Sequence, residues 1–331
     1  MTVKIIAEAG INHNGSISQA IKLIKKASEA NADFIKFQIF KSENVATLKA
    51  KKSSYQKINS KDNETQLKMI KKFELKFDDF KKLKKECKKN KINFLCSPFD
   101  IESAKFLKKL DEKIIKIPSG EITNFPLLVE IGKMKKKIIL STGMSNISEI
   151  KKALKILIEN GTKRDDISIL HCITAYPTPL KEVNLGAINN LKKKFNINVG
   201  FSDHTKGIEI PIAAVAIGAQ IIEKHITLDK NLKGPDHKSS LNPEEFKRMV
   251  SYIRNTELTI KNYSKKTQFS EQENKKIVRK SIVAKKFIKK GEFFSKDNLT
   301  VKRPGYGKSP MKWLKIIGKK AKKNYEQDEF I

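Results

Sequence analysis

Short apolar runs alternate with helical segments through most of this chain, and this alternation constrains its fold more than any other feature. Each run is four to seven residues long, as expected for buried strands. The eight runs are residues 3–7, 34–40, 93–96, 114–117, 137–140, 167–171, 197–201 and 219–222. Strands that alternate with helices favour a parallel sheet, and eight of them in about 250 residues predict an α/β fold of the (β/α)₈ barrel type. An open, doubly wound sheet is the alternative, although no GxGxxG turn follows the first run.

The alternation stops after the eighth run, and the chain changes character. A closing helix is predicted up to residue 261, and the polar stretch after it lacks periodicity, which is typical of a linker. Short β-like pieces separated by turns follow from residue 279. We therefore expect a barrel at 1–261, a linker at 262–278 and a small domain at 279–331. Within the barrel, residues 42–70 exceed an ordinary βα loop and are predicted to cover the barrel mouth.

Lysine dominates the charge of the chain. The sequence has 69 Lys and Arg residues against 36 Asp and Glu, a formal net charge of +33. Such a charge would suit nucleic acid or an anionic surface. However, the lysines are spread over helical segments and arginine is scarce, whereas phosphate-binding surfaces favour arginine and interleaved aromatic residues. The pattern indicates a solvated lysine coat, and we expect no nucleic-acid partner.

The cysteines and the apolar segments indicate in which cellular compartment the protein is located. Cys87, Cys96 and Cys172 are odd in number and form no CxxC pair, which fits a reducing environment. The N-terminal segment lacks the pattern of a secretion signal, and the longest apolar run, 210–222, is too short to span a bilayer. These features predict a cytoplasmic protein without a membrane partner.

Polar side chains cluster where the eight predicted strands end. Because the C-terminal ends of barrel strands meet on the face that carries active sites, we expect these side chains to surround one pocket. The candidates are Glu8, Lys36, Gln38, Ser97, Lys116, Ser119, Glu121, Ser141, Tyr176, Ser202, His204 and His225.

His204 and His225 follow two consecutive runs. Two neutral imidazoles at neighbouring strand ends could bind a divalent transition metal and leave positions open for substrate or water. The alternative is that they are two unrelated polar residues at strand ends.

Lys36 and Lys116 lie inside otherwise apolar strands. A buried lysine is costly unless an anion or a carboxylate pairs with it. The partner could be a core acid such as Glu8 or Glu121. Two such lysines with serines on neighbouring strands favour an anionic ligand, a phosphate or a carboxylate. A metal acting as Lewis acid on a carbonyl beside this pocket would fit.

Four acids are candidates for proton transfer near this predicted pocket. They are Glu8, Glu121, Glu223 and Asp236. The residues alone do not rank them, since acids at barrel mouths also serve to orient lysines.

Ten motifs occur in a fixed order along the chain. They are EAGINHNG, KFQ, SPFD, KIPSGE, STGM, HC-x-TAYPTP, GFSDHT, EKHITLD, GPDHKSSL and KRPGYGKSP. Together they resemble the sialic acid synthase family, the phosphoenolpyruvate-dependent synthases of N-acetylneuraminate and related nonulosonates, and the match covers nearly the whole chain. The resemblance implies a TIM barrel followed by a small antifreeze-like domain, also called SAF, of the β-clip type.

The resemblance also implies a role for each candidate residue. His204 and His225 correspond to ligands of a divalent metal, Mn²⁺ in preference to Mg²⁺ or Co²⁺. The positions that correspond to phosphoenolpyruvate binding are Lys36, Ser97, Lys116, Ser119, Ser141 and Ser202. The positions that face the sugar are Gln38, Tyr176, Asp236 and Arg303. Catalytic roles fall to Glu8, Lys116 and Asp236, with Glu8 handling the water or proton that adds at C2 of phosphoenolpyruvate.

Arg303 implies an assembly as well. It corresponds to an arginine that the antifreeze-like domain of one subunit extends into the barrel of the other. The resemblance therefore implies a domain-swapped homodimer.

The implied reaction joins phosphoenolpyruvate, N-acetylmannosamine and water into N-acetylneuraminate and phosphate. The alternative is the same reaction on 2,4-diacetamido-2,4,6-trideoxymannose, which gives N,N'-diacetyllegionaminate. The motifs shared by both activities do not separate them. A nucleic-acid-binding protein or a pure ligand-binding module would leave the strand-end residues unexplained.

Overall fold

The computed structural model describes residues 2–53, 56–57, 64–260 and 264–331. The chain divides into two compact units, Met1–Lys261 and Asn262–Ile331.

The first unit is built on eight parallel strands. Their order is β3-β2-β1-β8-β7-β6-β5-β4, and β3 and β4, at the two ends of this order, lie beside each other and close the barrel. The strands are β1 Lys4–Gly10, β2 Phe34–Ile39, β3 Asn93–Pro98, β4 Ile114–Ile117, β5 Lys137–Ser141, β6 Ile167–Cys172, β7 Asn198–Asp203 and β8 Ile221–His225. The predicted (β/α)₈ barrel is confirmed.

Helices alternate with the strands, and several of them begin at polar caps. Ser16 accepts a hydrogen bond from the Gln19 amide at the start of the first helix, and Asn146 forms a reciprocal capping box with Glu149. The helices of this unit are α1 Ile17–Glu29, α2 Ser42–Val45, α3 Gln66–Lys71, α4 Phe77–Lys89, α5 Ile101–Lys109, α6 Phe125–Gly132, α7 Ile147–Glu159, α8 Gly186–Phe195, α9 Glu209–Ala216 and α10 Pro243–Thr259.

The barrel interior is apolar towards the N-terminal ends of the strands. A separate cluster fills it there and consists of Ile6, Leu95, Ile139, Leu170 and Ile221. A larger core lies between the barrel and its helices. Because side chains alternate along a strand, the next inward-facing residue lies two positions further on, nearer the mouth.

Most strands extend one to three residues beyond their predicted ends. Glu8 pairs with Lys36 on one side and with His225 on the other, so all three lie within the hydrogen-bonded sheet. The prediction ended strands at the last apolar residue. In a barrel the polar residues at the mouth still belong to the strands, because the neighbouring strands continue alongside them.

The second unit contains a small antiparallel sheet. Strand β9, Ser281–Ala284, pairs with β10, Leu299–Lys302. The described residues of this unit also form the short α-helices α11 Gln272–Val278 and α12 Trp313–Ile316. Helix α11 lies in the stretch predicted to be an irregular linker, of which residues 262 and 263 lie outside the described part of the chain. In the described part of the chain, no helix is both long and apolar enough to cross a membrane.

Candidate active site

A layer of polar side chains lies directly above the apolar cluster of the barrel. On five strands each polar residue follows a residue of that cluster by two positions. These residues are Glu8, Ser97, Ser141, Cys172 and Glu223; Lys36, Lys116 and Ser202 occupy the same level on the other three strands. Two positions before Ser202 the chain has Gly200 instead of an apolar side chain. A β-carbon at Gly200 would lie only 2.4 Å from the Ile221 carbonyl oxygen, so a side chain does not fit there. The polar layer is therefore a consequence of strand periodicity.

Two lysines and two carboxylates form a buried ion network in this layer. Lys36 Nζ lies 2.8 Å from Glu223 Oε2 and 3.5 Å from Glu8 Oε2. Lys116 Nζ lies 3.6 Å from Glu223 Oε1. All four side chains are at most 5% exposed. Glu223 on β8 thus connects lysines on β2 and β4, the two strands that flank β3.

Burial and the neighbouring charges shift the pKa values of these four groups in different directions. Burial raises the pKa of Glu8 to about 7, against the opposing effect of Lys36. Burial also lowers the pKa of Lys116 to about 8. Although burial opposes its charge, Lys36 is held at a pKa of about 12 by Glu223 and Glu8. Glu223 is buried too, but Lys116 and Lys36 hold its pKa below its usual value. A carboxyl group with a pKa near neutrality can both accept and donate a proton.

Three serines line the space above the lysines. Ser141 Oγ accepts a hydrogen bond from Lys116 Nζ at 2.7 Å, and Ser202 donates to Glu223 at 2.9 Å. Ser119 accepts the Gly143 amide at 3.0 Å. Ser97 lies in the same layer, but it is not one of the residues that line the cavity. Cationic, hydroxyl and amide groups together provide the donors that a phosphate or carboxylate needs.

His204 and His225 lie next to each other, as their spacing predicts. Their ring centroids are 5.4 Å apart, and the Tyr176 ring lies 4.1 Å from His204 and 5.9 Å from His225. His204 Nδ1 is 2.6 Å from the Ile173 carbonyl oxygen, which favours a proton on Nδ1. Although burial opposes the charge of the ring, Cys172 and the Ile173 carbonyl hold the pKa of His204 above its usual value.

The chemistry of this pair fits a divalent transition metal. His225 Nδ1 is buried without a hydrogen-bond partner among the described residues. Burial and the neighbouring His204 hold the pKa of His225 well below its usual value, so the ring is neutral, which is the metal-binding form. Within the described residues no group of three or more His, Cys, Asp or Glu side chains could hold a metal. A metal ion held by these two imidazoles would therefore keep further coordination positions for water or substrate.

A second buried ion pair holds the loop that carries His204. Lys224 Nζ donates to Asp203 Oδ2 and to the Thr205 carbonyl, both at 2.5 Å. Asp203 Oδ1 accepts the Thr205 amide at 2.9 Å. The neighbours of His204 on both sides are thus bonded to fixed groups, which restrains the position of the imidazole.

Gln38, Asp236 and Tyr176, which the resemblance predicts to face the sugar, all line the cavity. Gln38 donates to Glu8 Oε1 at 3.1 Å. Asp236 is buried, and its Oδ1 lacks a partner among the described residues. Burial raises the pKa of Asp236 to about 6, against the effect of His204. Arg303 lies in the second unit and is exposed there.

The other histidines and Glu121 have structural contacts. His171 Nε2 is 2.8 Å from the Val183 carbonyl oxygen, and His237 bonds Thr227. Glu121 accepts a hydrogen bond from Asn124 and is absent from the cavity lining, so the prediction that it belongs to the strand-end pocket is not supported.

Glu223 and Cys172 make contacts in the site that were not predicted from the sequence. Glu223 is the shared partner of both lysines, and Cys172 lines the cavity 3.4 Å from Ser119 Oγ and interacts with the His204 ring. Strand periodicity could have indicated both residues, because Cys172 and Glu223 each follow an apolar, inward-facing residue of the barrel by two positions.

The residues of this site surround one cavity of about 450 Å³. This volume lies in the range of small-molecule sites. Described residues of the 42–70 segment, among them Val45, Gln66 and Met69, form part of its wall. Residues 54–55 and 58–63 of that segment lie outside the described residues.

Comparison with known proteins identifies the family. Residues 23–265 match the NeuB family, and residues 279–331 match the SAF domain. The chain is 54% identical to an N,N'-diacetyllegionaminic acid synthase of Campylobacter jejuni, over 99% of this chain and 98% of the relative. It is 40% identical to the enzyme of the same name from Legionella pneumophila, over 98% and 92%.

A solved structure has the same fold at moderate identity. An N-acetylneuraminic acid synthetase from Leptospira borgpetersenii superposes with a TM-score of 0.73 and 35% identity, over 83% of this chain and 90% of that one. The chain therefore belongs to the NeuB family, and it is a phosphoenolpyruvate-dependent, carbon–carbon bond-forming synthase with a C-terminal SAF domain.

Proposed function

We propose that this protein condenses phosphoenolpyruvate with 2,4-diacetamido-2,4,6-trideoxymannose and water, forming N,N'-diacetyllegionaminate and phosphate. The observation that carries the proposal is the 54% identity, over nearly the whole of both chains, to a synthase named for that product. N-acetylmannosamine, the first expectation from the sequence, is supported only at the level of the family. The legionaminate alternative is therefore preferred.

The buried ion network suits phosphoenolpyruvate, which carries a phosphate and a carboxylate. Lys36 keeps its charge, and Lys116, Ser119, Ser141 and Ser202 add donors around the same space. A buried anion gains most from donors that are already in position, because they need no reorganisation when it binds. We assign the phosphoenolpyruvate site to these residues.

Glu8 is the best placed acid for proton transfer at the reacting carbons. In the proposed reaction the C2=C3 electron pair of phosphoenolpyruvate forms the bond from C3 to the aldehyde carbon, the aldehyde C=O π bond opens, and water adds its hydroxyl group to C2. Glu8, with a pKa of about 7, takes the proton that the water gives up, and the former aldehyde oxygen takes up one proton to become a hydroxyl group. Collapse of the C2 centre then breaks its bond to the phosphate oxygen; the proton of the C2 hydroxyl leaves with the phosphate, and the 2-keto acid remains.

His204 and His225 would hold the divalent cation, for which Mn²⁺ is the proposal. When bound, such an ion supplies a Lewis acid that polarises the aldehyde oxygen. Tyr176, against both rings, limits the space beside them and so helps to orient the sugar.

A direct comparison of the two acceptor sugars tests the proposed function. We expect kcat/KM to be about 10²-fold higher with 2,4-diacetamido-2,4,6-trideoxymannose than with N-acetylmannosamine, since methyl and acetamido groups are distinguished from hydroxyls by a fitted pocket. The measurement is phosphate release with each sugar, with product mass as the control for true condensation. Equal rates, or faster turnover of N-acetylmannosamine, would contradict the assignment.

We also propose a domain-swapped homodimer in which Arg303 of one subunit enters the barrel of the other. The support is the KRPG motif and the exposed position of Arg303 within its own unit. A cationic guanidinium from outside the barrel would add a fixed charge to a site that binds anions.

Mixing two inactive variants tests this arrangement. Arg303→Ala has an intact barrel, whereas Lys116→Met has an intact Arg303. If the arginine acts between subunits, a co-refolded mixture should recover about a quarter of wild-type activity from sites that combine the intact parts. No recovery above the separate variants, with dimers present in sedimentation, would rule out the exchange.

A further inference from the structure

One side of the cavity is apolar, in contrast to its ion-paired floor. Phe40, Val45, Met69, Ile70 and Phe99 line the cavity on this side, and we name these five residues the apolar wall. Phe40 follows β2, and Phe99 follows β3; their rings meet edge to face at 6.2 Å. The other three come from helices α2 and α3 of the long segment after β2.

The apolar wall lies away from the reacting groups. Along β2, Lys36 belongs to the floor, Gln38 is predicted to face the sugar, and Phe40 belongs to the wall. Two residues of strand advance about 7 Å, so the wall lies one level nearer the mouth than Gln38. A sugar whose aldehyde is held near His204 and His225 must therefore direct its other end away from the floor.

We propose that the apolar wall is the specificity-determining surface of this synthase and receives the C6 methyl and the C4 acetamido methyl of the acceptor. This inference rests on the proposed function. Met69 is 2% exposed and Phe40 is 6% exposed, so both are fixed by their surroundings. Apolar groups gain free energy when such a surface removes them from water.

The same surface disfavours the competing sugar. N-acetylmannosamine carries hydroxyl groups at C4 and C6, and a hydroxyl against phenylalanine, methionine and isoleucine loses its hydrogen bonds to water. The amide groups of Gln56 and Gln66 also line the cavity and offer chemistry suited to an acetamido oxygen or N–H. A wall of this composition therefore separates the two sugars at their far ends. Of its five residues only Phe99 belongs to a shared motif, SPFD.

Three variants of the full-length protein test the proposal. Met69→Gln and Val45→Thr keep the side-chain size and replace an apolar surface with a polar one. Leu48→Gln, on the same segment but 80% exposed and outside the cavity lining, is the matched control. The measurements are kcat/KM for 2,4-diacetamido-2,4,6-trideoxymannose and for N-acetylmannosamine, KM for phosphoenolpyruvate, and thermal melting.

We expect each wall variant to lower the ratio of the two kcat/KM values about tenfold, through KM for the sugar, while KM for phosphoenolpyruvate stays unchanged. Val45 is 37% exposed, so its variant should fold even if Met69→Gln melts early. Equal losses of kcat/KM with both sugars, or an unchanged ratio of the two kcat/KM values in a folded variant, would overturn this inference but not the proposed function. A wild-type protein that prefers N-acetylmannosamine would overturn the proposed function and the inference with it.

Discussion

Replacement of Lys116 by methionine is expected to lower kcat/KM for phosphoenolpyruvate by about 10²–10³-fold. Lys116 is 1% exposed, and its ammonium group contacts Ser141 and faces Glu223. Removing one partner of a buried charge pair costs about 2–5 kcal/mol, and each 1.4 kcal/mol corresponds to a factor of ten. The loss should fall on phosphoenolpyruvate more than on the sugar, since the ammonium group pairs with the anion.

A lysine at the opposite end of the same strand provides the control. Lys113 precedes β4, its side chain is 79% exposed, and it pairs with Asp111 at the surface. Lys113→Met also removes one positive charge, but surface pairs contribute little, so kcat/KM should change less than twofold. Steady-state kinetics with varied phosphoenolpyruvate measure both variants. Similar losses in the two would indicate a general effect of charge and would contradict the assignment of Lys116.

Removal of divalent cations is expected to abolish turnover, and Mn²⁺ is expected to restore it. The reason is that His204 and His225 supply two imidazoles, and no further described His, Cys, Asp or Glu completes a cluster with them, so a bound ion would stay exchangeable. The His204→Ala/His225→Ala double variant should show no turnover with or without Mn²⁺. Metal content after equilibrium dialysis should be about one Mn²⁺ per wild-type chain and none in the variant.

A third histidine separates metal binding from general effects on the fold. His237 bonds Thr227 on one side and Asn14 on the other, so His237→Gln should retain bound Mn²⁺ once its melting temperature confirms folding. Full activity or full Mn²⁺ binding in the double variant would exclude the metal role of the pair.

Much of the fold could be predicted from local pattern. Apolar runs and helical spacing are properties of neighbouring residues, and each predicted strand overlaps one that the structure contains. The capping pair Asn146 and Glu149 marked the start of α7 for the same reason. Strand ends were less accurate, because a polar residue such as Glu8 or His225 stays within the sheet when its neighbours continue beside it.

The residues of the candidate site could be predicted from the sequence, but the ion pairs between them could not. Lys36 and Lys116 stood out as charges in apolar strands, and His204 and His225 stood out by their spacing. From the sequence, Glu8 and Glu121 were the proposed partners of the lysines, and Glu223 was only a candidate for proton transfer. The structure brings Glu223 to both lysines and directs Glu121 to Asn124.

The barrel and its charged, hydroxyl-lined mouth follow from the residues alone, because strand and helix periodicities depend on residues that are close along the chain. Which charges meet depends on the folded barrel. Glu223 on β8 reaches Lys36 on β2 and Lys116 on β4 across the interior, and these strands are far apart in sequence. Side chains that point inward from separate strands come into contact only when the barrel closes. Closure requires all eight strands together.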